Sequence, residues 1–280
     1  MLFWMVDAFT HSLFEGNQAA VFWTENKLPP GALQKIAGEL NVHEAIFLSP
    51  SQNQHFHTQI FTPFAQESVC GHGLLAAAHV LWNELNPENI DHAQLYFDTN
   101  LGIFRISLDD GKMTVHTTAK MPEPSVAPER LMNALGVPPI SINKCGQIYV
   151  VEMFNPKQVL KLQPDIAKLE KIPCKGVVVT AEGGNDVEYD FISRFFAPSE
   201  GFKEDPVTLW NHCFLAPYWS RRLKKNTFRA FQTAKRSGWL DIICENEQVL
   251  IRGQCITSAA GKVSESFNWA LHNDLFDSFQ

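Results

Sequence analysis

The chain repeats itself, and the repeat narrows the possible folds more than any other feature. Phe61-Thr62-Pro63 is echoed by Phe196-Ala197-Pro198. Each leads through a polar loop into an apolar run ending in Trp, at Trp82 and Trp219. Leu101-Gly102-Ile103-Phe104-Arg105-Ile106 then matches Ser237-Gly238-Trp239-Leu240-Asp241-Ile242. Met113-Thr114-Val115 precedes Val249-Leu250-Ile251 by 136 residues, at the same displacement. Self-similarity at a nearly constant displacement is the mark of duplication. The order strand, loop, buried helix, strand, hairpin, strand therefore occurs twice. It predicts two similar α/β domains related by a pseudo-twofold axis, with a cleft between them of the kind small molecules occupy.

Local patterns fill in this plan. Ala19 to Trp23 and Ala45 to Leu48 are apolar runs of strand length, and Leu33, Ile36, Ala37 and Leu40 recur at helical spacing between them. His55 to Phe61 alternates with period two, as a half-buried strand does. Asp109-Asp110-Gly111 between Ile103 to Leu108 and Met113 to His116 is a strong hairpin signal. Gly183-Gly184 also reads as a hairpin loop. Leu74 to Trp82 is apolar almost all round, so this helix should be enclosed by protein, as in a sheet curled about it. Pro122, Pro124 and Pro128 mark an extended linker. The domains are thus expected at 1–118 and 129–262, joined by 119–128. Residues 263–280 form a tail in which Phe267, Leu271 and Leu275 suggest a short amphipathic helix packed on its own domain.

Composition excludes whole classes. The 280 residues carry a formal charge of −7, which gives no electrostatic reason to bind nucleic acid or an anionic membrane surface. Twenty-one Phe and seven Trp against four Tyr favour apolar interiors or an apolar pocket. The apolar run at Leu74 is far shorter than the roughly 20 residues that span a bilayer. Met1 to Thr10 lacks the basic region of a signal peptide. Six widely spaced cysteines without a C-x-x-C pair point to reduced thiols, hence a cytoplasmic protein.

The chemistry centres on Cys70-Gly71-His72-Gly73, directly before the first buried helix. Glycines there let backbone N–H groups approach a ligand, and the helix start favours a carboxylate. A plain tight turn would look the same. With these residues the sequence resembles the PhzF-like phenazine-biosynthesis family, which shares the diaminopimelate epimerase fold. The resemblance is carried by Val6-Asp7-Ala8-Phe9-Thr10, Phe14 to Val21, Ile36 to Glu44, Phe61-Thr62-Pro63 and Cys70-Gly71-His72. In the second half it continues through Glu204 to Thr208, His212-Cys213 and Leu215 to Trp219.

The resemblance implies two α/β (α+β) domains, each a mixed sheet wrapped around a central helix, in a protein that usually dimerises. It also implies a cofactor-independent isomerase acting on small cyclic acids, with no metal. Glu44 would shuttle the proton; a carboxyl among apolar neighbours such as Phe47 and Phe61 holds its proton to higher pH, as acid/base work near neutrality requires. His72 and Asp205 would orient the substrate or assist proton transfer from the two halves. Asn17, Cys70, Gly71, Gly73, Thr208 and Trp210 would line the substrate site.

Several positions depart from the family. Leu209-Trp210-Asn211 follows Thr208 where small residues are expected, Gln18 follows Asn17 where Pro is expected, and His43 stands where Ser is expected. Ser237 replaces a Gly of the usual Gly-Gly pair. One half of the anion cradle is rebuilt or filled, so a catalytically silent binding protein is the competing reading. Two-thiol racemisation needs a second cysteine where Thr208 stands, and Thr cannot serve as a thiolate base. Cys213 reads as a small buried hydrophobe. His55, His57, Cys70, His72 and His79 match no structural zinc spacing, and His79 reads as a core histidine.

Overall fold

In the computed structural model, which describes residues 1–68, 70–86, 90–91 and 93–264, strand pairing reproduces the repeat twice. The chain divides into two units. The first comprises Met1–Phe14, Gln18–Val115 and the segment from Gly253, and the second Glu15–Asn17 and His116–Arg252.

In the first unit, Ala20 to Trp23 runs parallel to Ala45 to Leu48, and Ala45–Pro50 pairs antiparallel with His55–Phe61. His55 to His57 lies parallel to Tyr96 to Asp98. Gln94–Thr99 then pairs antiparallel with Gly102–Asp109, which turns back at Asp109 to Lys112. The two turn residues Asp110 and Gly111 both have positive φ, 50° and 74°. Such a turn carries the twist of its flanking strands, which is why Asp-Gly is favoured there.

The second unit has the same order. Ile148–Glu152 runs parallel to Gly176 to Thr180, which pairs antiparallel with Phe191–Ala197. Phe191 to Ser193 lies parallel to Ala230 to Gln232, followed by the antiparallel strands Gly238–Glu245 and Gln248–Gly253. Strands starting at His55, Gly102 and Lys112 have counterparts starting at Phe191, Gly238 and Gln248, each 136 residues on. Gly183 sits in the hairpin loop expected of it. A Cβ there would lie 1.9 Å from the Tyr189 carbonyl oxygen.

A buried helix lies in each unit. Gly71–His79 is buried from Gly71 to Ala78 and packs on Leu2–Ala8, Ala45–Pro50 and Cys255–Lys262. It continues as a wider π turn over Val80–Leu85, where the Trp82 indole N–H donates to the Asp91 carbonyl at 2.9 Å. The counterpart, Leu209–Leu223, buries Leu209 and Asn211 to Trp219. It tolerates Pro217 in its interior because the Cys213 carbonyl, which loses its partner when residue 217 has no N–H, accepts the Lys120 N–H at 3.0 Å. No described helix is long and apolar enough to cross a membrane.

The expected domain limits differ from these units: Glu15–Asn17 and the residues from His116 fall in the second, and the strand after Gly253 falls in the first. Cys255–Lys262, placed by the sequence in the second domain, pairs antiparallel with Leu2–Ala8 from Ala8–Cys255 to Leu2–Lys262. The last strand therefore belongs with the first unit. The expected linker contributes Glu123–Pro124, which pairs with Asn143 and Lys144. The helix expected in the tail lies outside the described residues.

Candidate active site

Glu44 is placed by the loop that joins helix Pro30–Leu40 to strand Ala45–Pro50. The helix ends at Asn41 in the left-handed conformation, and Val42 is buried against the core. The Glu44 carbonyl accepts the Ala20 N–H at 2.9 Å, which pins the loop to the parallel strand beside it. His43 and Glu44 thus stand at the mouth of a strand whose next residues, Ala45 to Leu48, are wholly interior.

The sequence placed Cys70-Gly71-His72-Gly73 ahead of the helix. Cys70 is instead the N-cap, and the other three residues form the first turn. The Cys70 sulfur accepts the Gly73 N–H at 3.1 Å and lies 3.3 Å from His72 Nδ1. Gly73 packs closely, and a Cβ there would lie 2.4 Å from Ile46 Cδ1 and 3.1 Å from the Cys70 sulfur, so the buried Ile46 side chain would have to move. Ile46 sits two residues beyond Glu44, so this approach is what carries the first turn to the glutamate. Accordingly, His72 Nε2 comes within 3.5 Å of Glu44 Oε2. That is a contact rather than a formed hydrogen bond. Gly73→Ala is expected to lower stability by about 1–2 kcal/mol, as overpacking does, and to separate His72 from Glu44. Denaturant unfolding and a crystal structure of the variant check both parts.

His72 is buried, and burial holds its pKa well below the ordinary histidine value. The neighbouring His43 pushes it the same way, while a hydrogen bond to the Gln18 backbone opposes. The imidazole is therefore neutral at pH 7, with one N–H and one lone pair. The His43 and His72 rings are 5.7 Å apart between centroids. One ligand-capable atom each of His43, Glu44 and His72 lies within 4.8 Å of the others. Of the residues weighed in the sequence as metal ligands, His72 belongs to this cluster. His55 pairs with Asp98 at 2.8 Å, and His79 bonds to Thr257 at 3.1 Å.

In the second unit, Asp205 ends the strand Phe202–Asp205, and Thr208 is the N-cap of helix Leu209–Leu223. Both Asp205 carboxylate oxygens are engaged, Oδ1 by Asn17 Nδ2 at 2.9 Å and Oδ2 by the Thr208 hydroxyl. Asn17 Nδ2 also donates to the Val207 carbonyl at 3.0 Å. Gln232, which no local pattern marked, is wholly buried and clamps the same segment. Its Oε1 accepts the Thr208 N–H and its Nε2 donates to the Asp205 carbonyl, both at 3.0 Å. Replacing Gln232 by Leu would leave both backbone groups without these bonds. A loss of about 2 kcal/mol is expected in denaturant unfolding, the cost of stranding buried polar groups. Leu209 is buried as the first helical residue, and Trp210 is half-buried. Cys213 is a buried thiol pushed up to about 11 by desolvation, in keeping with a packing role. All six cysteines are free.

Comparison with known proteins places these features in one family. A family model described as phenazine biosynthesis-like protein matches residues 6–261. An uncharacterized isomerase of Halalkalibacterium halodurans is 36% identical over 259 residues, 91% of this chain and 95% of the relative. A crystal structure of a PhzF-family phenazine biosynthesis protein from Enterococcus faecalis is 31% identical with a TM-score of 0.88, covering 94% of this chain and 98% of that one. A predicted epimerase of Pseudomonas aeruginosa, at 20% identity and a TM-score of 0.70, covers 94% and 98% and shares the fold. With a match over nearly its whole length, the chain belongs to the PhzF-type phenazine biosynthesis-like protein family.

Proposed function

We propose that this protein is a cofactor-independent isomerase that moves a proton between carbons of a small cyclic or hydrophobic carboxylate, with Glu44 as general acid/base. The observation that carries this reading is the contact of Glu44 with a buried, neutral His72 at the start of an enclosed helix. The names of its relatives support the reaction class. Glu44 takes a proton from one carbon of the substrate and returns it to another. Negative charge grows on the substrate between the two transfers. The positive end of helix Gly71–His79 stabilises such charge and attracts a carboxylate. His72, with one lone pair and one N–H, orients Glu44 and passes a proton to or from it. Asn17, Asp205 and Thr208 hydrogen-bond to one another and to the Val207 carbonyl, which would hold them in place for the orienting role the resemblance implies.

The test is incubation with a panel of cyclic and aromatic carboxylates in D2O, with deuterium incorporation followed by NMR. Incorporation at carbon by the wild type, lost in Glu44→Gln, supports the assignment. Exchange that persists in Glu44→Gln sinks it, and no exchange with any acid favours the silent binding protein. The dimeric state implied by the resemblance belongs to the same proposal and is read by light scattering.

A further inference from the structure

We propose that His43, Glu44 and His72 form a binding site for a divalent transition metal of the zinc class, and that the metal inhibits the isomerase by occupying Glu44. Metal binding stands on the geometry alone; inhibition rests on the reading of Glu44 as the proton carrier.

Two imidazoles and one carboxylate are a donor set that zinc takes, with nitrogen and oxygen at about 2.0–2.2 Å. Two such ligands on a tetrahedral ion are about 3.3 Å apart. His72 Nε2 and Glu44 Oε2 are already 3.5 Å apart. The third donor, on His43, completes a set lying within 4.8 Å, so a small side-chain rotation closes the triangle. Three protein ligands leave a fourth position for water or a substrate oxygen, as in open rather than structural zinc sites.

The surroundings are organised for a ligand. The Cys70 sulfur lies against the His72 ring, 3.3 Å from Nδ1 and 3.8 Å from Nε2, and packs the buried imidazole in place. Gly73 keeps the first helical turn tight against Ile46, so the ligands come from two elements locked together. One site so built serves two purposes. Metal-free, the Glu44 carboxylate is available to a substrate proton. Metal-bound, its oxygen is coordinated and takes no part in proton transfer.

The experiment uses the full chain stripped with a chelator, then titrated with Zn²⁺ against a chromophoric competitor. Binding of one equivalent is expected. Affinity should fall at least about tenfold in His43→Ala, as loss of a ligand must exceed loss of an outer-sphere contact. The variant His55→Ala, at a half-buried histidine outside the cluster, should bind as the wild type does. Circular dichroism establishes that each variant is folded. Co²⁺ should give visible bands of a nitrogen and oxygen set, without an intense thiolate charge-transfer band. Absence of saturable binding, or binding undiminished in both His43→Ala and Glu44→Gln, overturns the site, as does a thiolate band from Cys70. Zinc bound at this site with deuterium exchange undiminished overturns the inhibition alone. If the chelated protein exchanges no acid yet binds zinc with the expected variant pattern, the isomerase reading fails and the metal site stands.

Discussion

Glu44→Gln should reduce deuterium incorporation by about a thousandfold while leaving the fold intact. Gln preserves the shape of the side chain but has no oxygen that accepts and returns a proton. A positioned acid/base contributes about 10²–10⁴ in rate, and a thousandfold loss corresponds to about 4 kcal/mol of barrier. Glu44 is only partly buried and sits at the start of a strand rather than within it. The thermal midpoint of the variant should therefore stay close to that of the wild type. Glu44→Asp keeps the carboxylate but withdraws it by one carbon, so an intermediate loss is expected. His72→Asn should cost about tenfold, because it disturbs the orientation of Glu44 without removing the proton carrier. The order Gln, Asp, wild type is what distinguishes a proton carrier from a carboxylate that only binds. Equal losses in Gln and Asp, or a Gln variant within tenfold of wild type, would falsify the role.

The plan of the fold was legible because it is written twice. The period-two pattern at His55, the helical spacing of Leu33 to Leu40 and the Asp-Gly turn each specify an element locally. The 136-residue displacement then orders them. What was not legible depends on contacts between distant residues. Nothing local in Cys255–Lys262 says which strand it joins, and it pairs with Leu2–Ala8. Gln232 has no signature as a lone polar residue at a strand end, yet it holds Thr208 and Asp205. Glu44 and His72 were each marked by family likeness. Their contact, and the arrival of His43, follow from how closely the helix packs on Ile46 at Gly73. Only the absence of a side chain at Gly73 hints at this in the sequence.

Between pH 6.5 and pH 4 the protein should lose about 3 kcal/mol of stability through His212 alone. Its imidazole is wholly buried and stacks against Phe191 with centroids 6.0 Å apart. Nδ1 lies 2.9 Å from the Thr208 carbonyl, which can only accept, so this nitrogen carries the proton of the neutral ring. Among the described residues Nε2 has no hydrogen-bond partner, and protonating it would create a charge with nothing to receive it. Burial accordingly pushes the pKa down to about 4, against the smaller opposing effect of the Thr208 bond. An unfolded chain takes up this proton near pH 6.5, whereas the folded chain resists until about pH 4. Within that window the unfolded state binds more protons, so stability falls as pH falls. Above it neither state is protonated, and below it both are. The width of the window, at about 1.4 kcal/mol per pH unit, sets the size of the loss. Buried His72 acts in the same direction. Carboxylates also titrate in this range, so wild type must be compared with His212→Leu at pH 7, 5.5 and 4.5 by denaturant unfolding. Leu loses the bond to Thr208 at every pH and should start less stable, but it has no proton to gain. Its stability should therefore decline less steeply, and the two curves should converge or cross on acidification. Parallel curves would mean that the buried ring is relieved by local opening before it is charged.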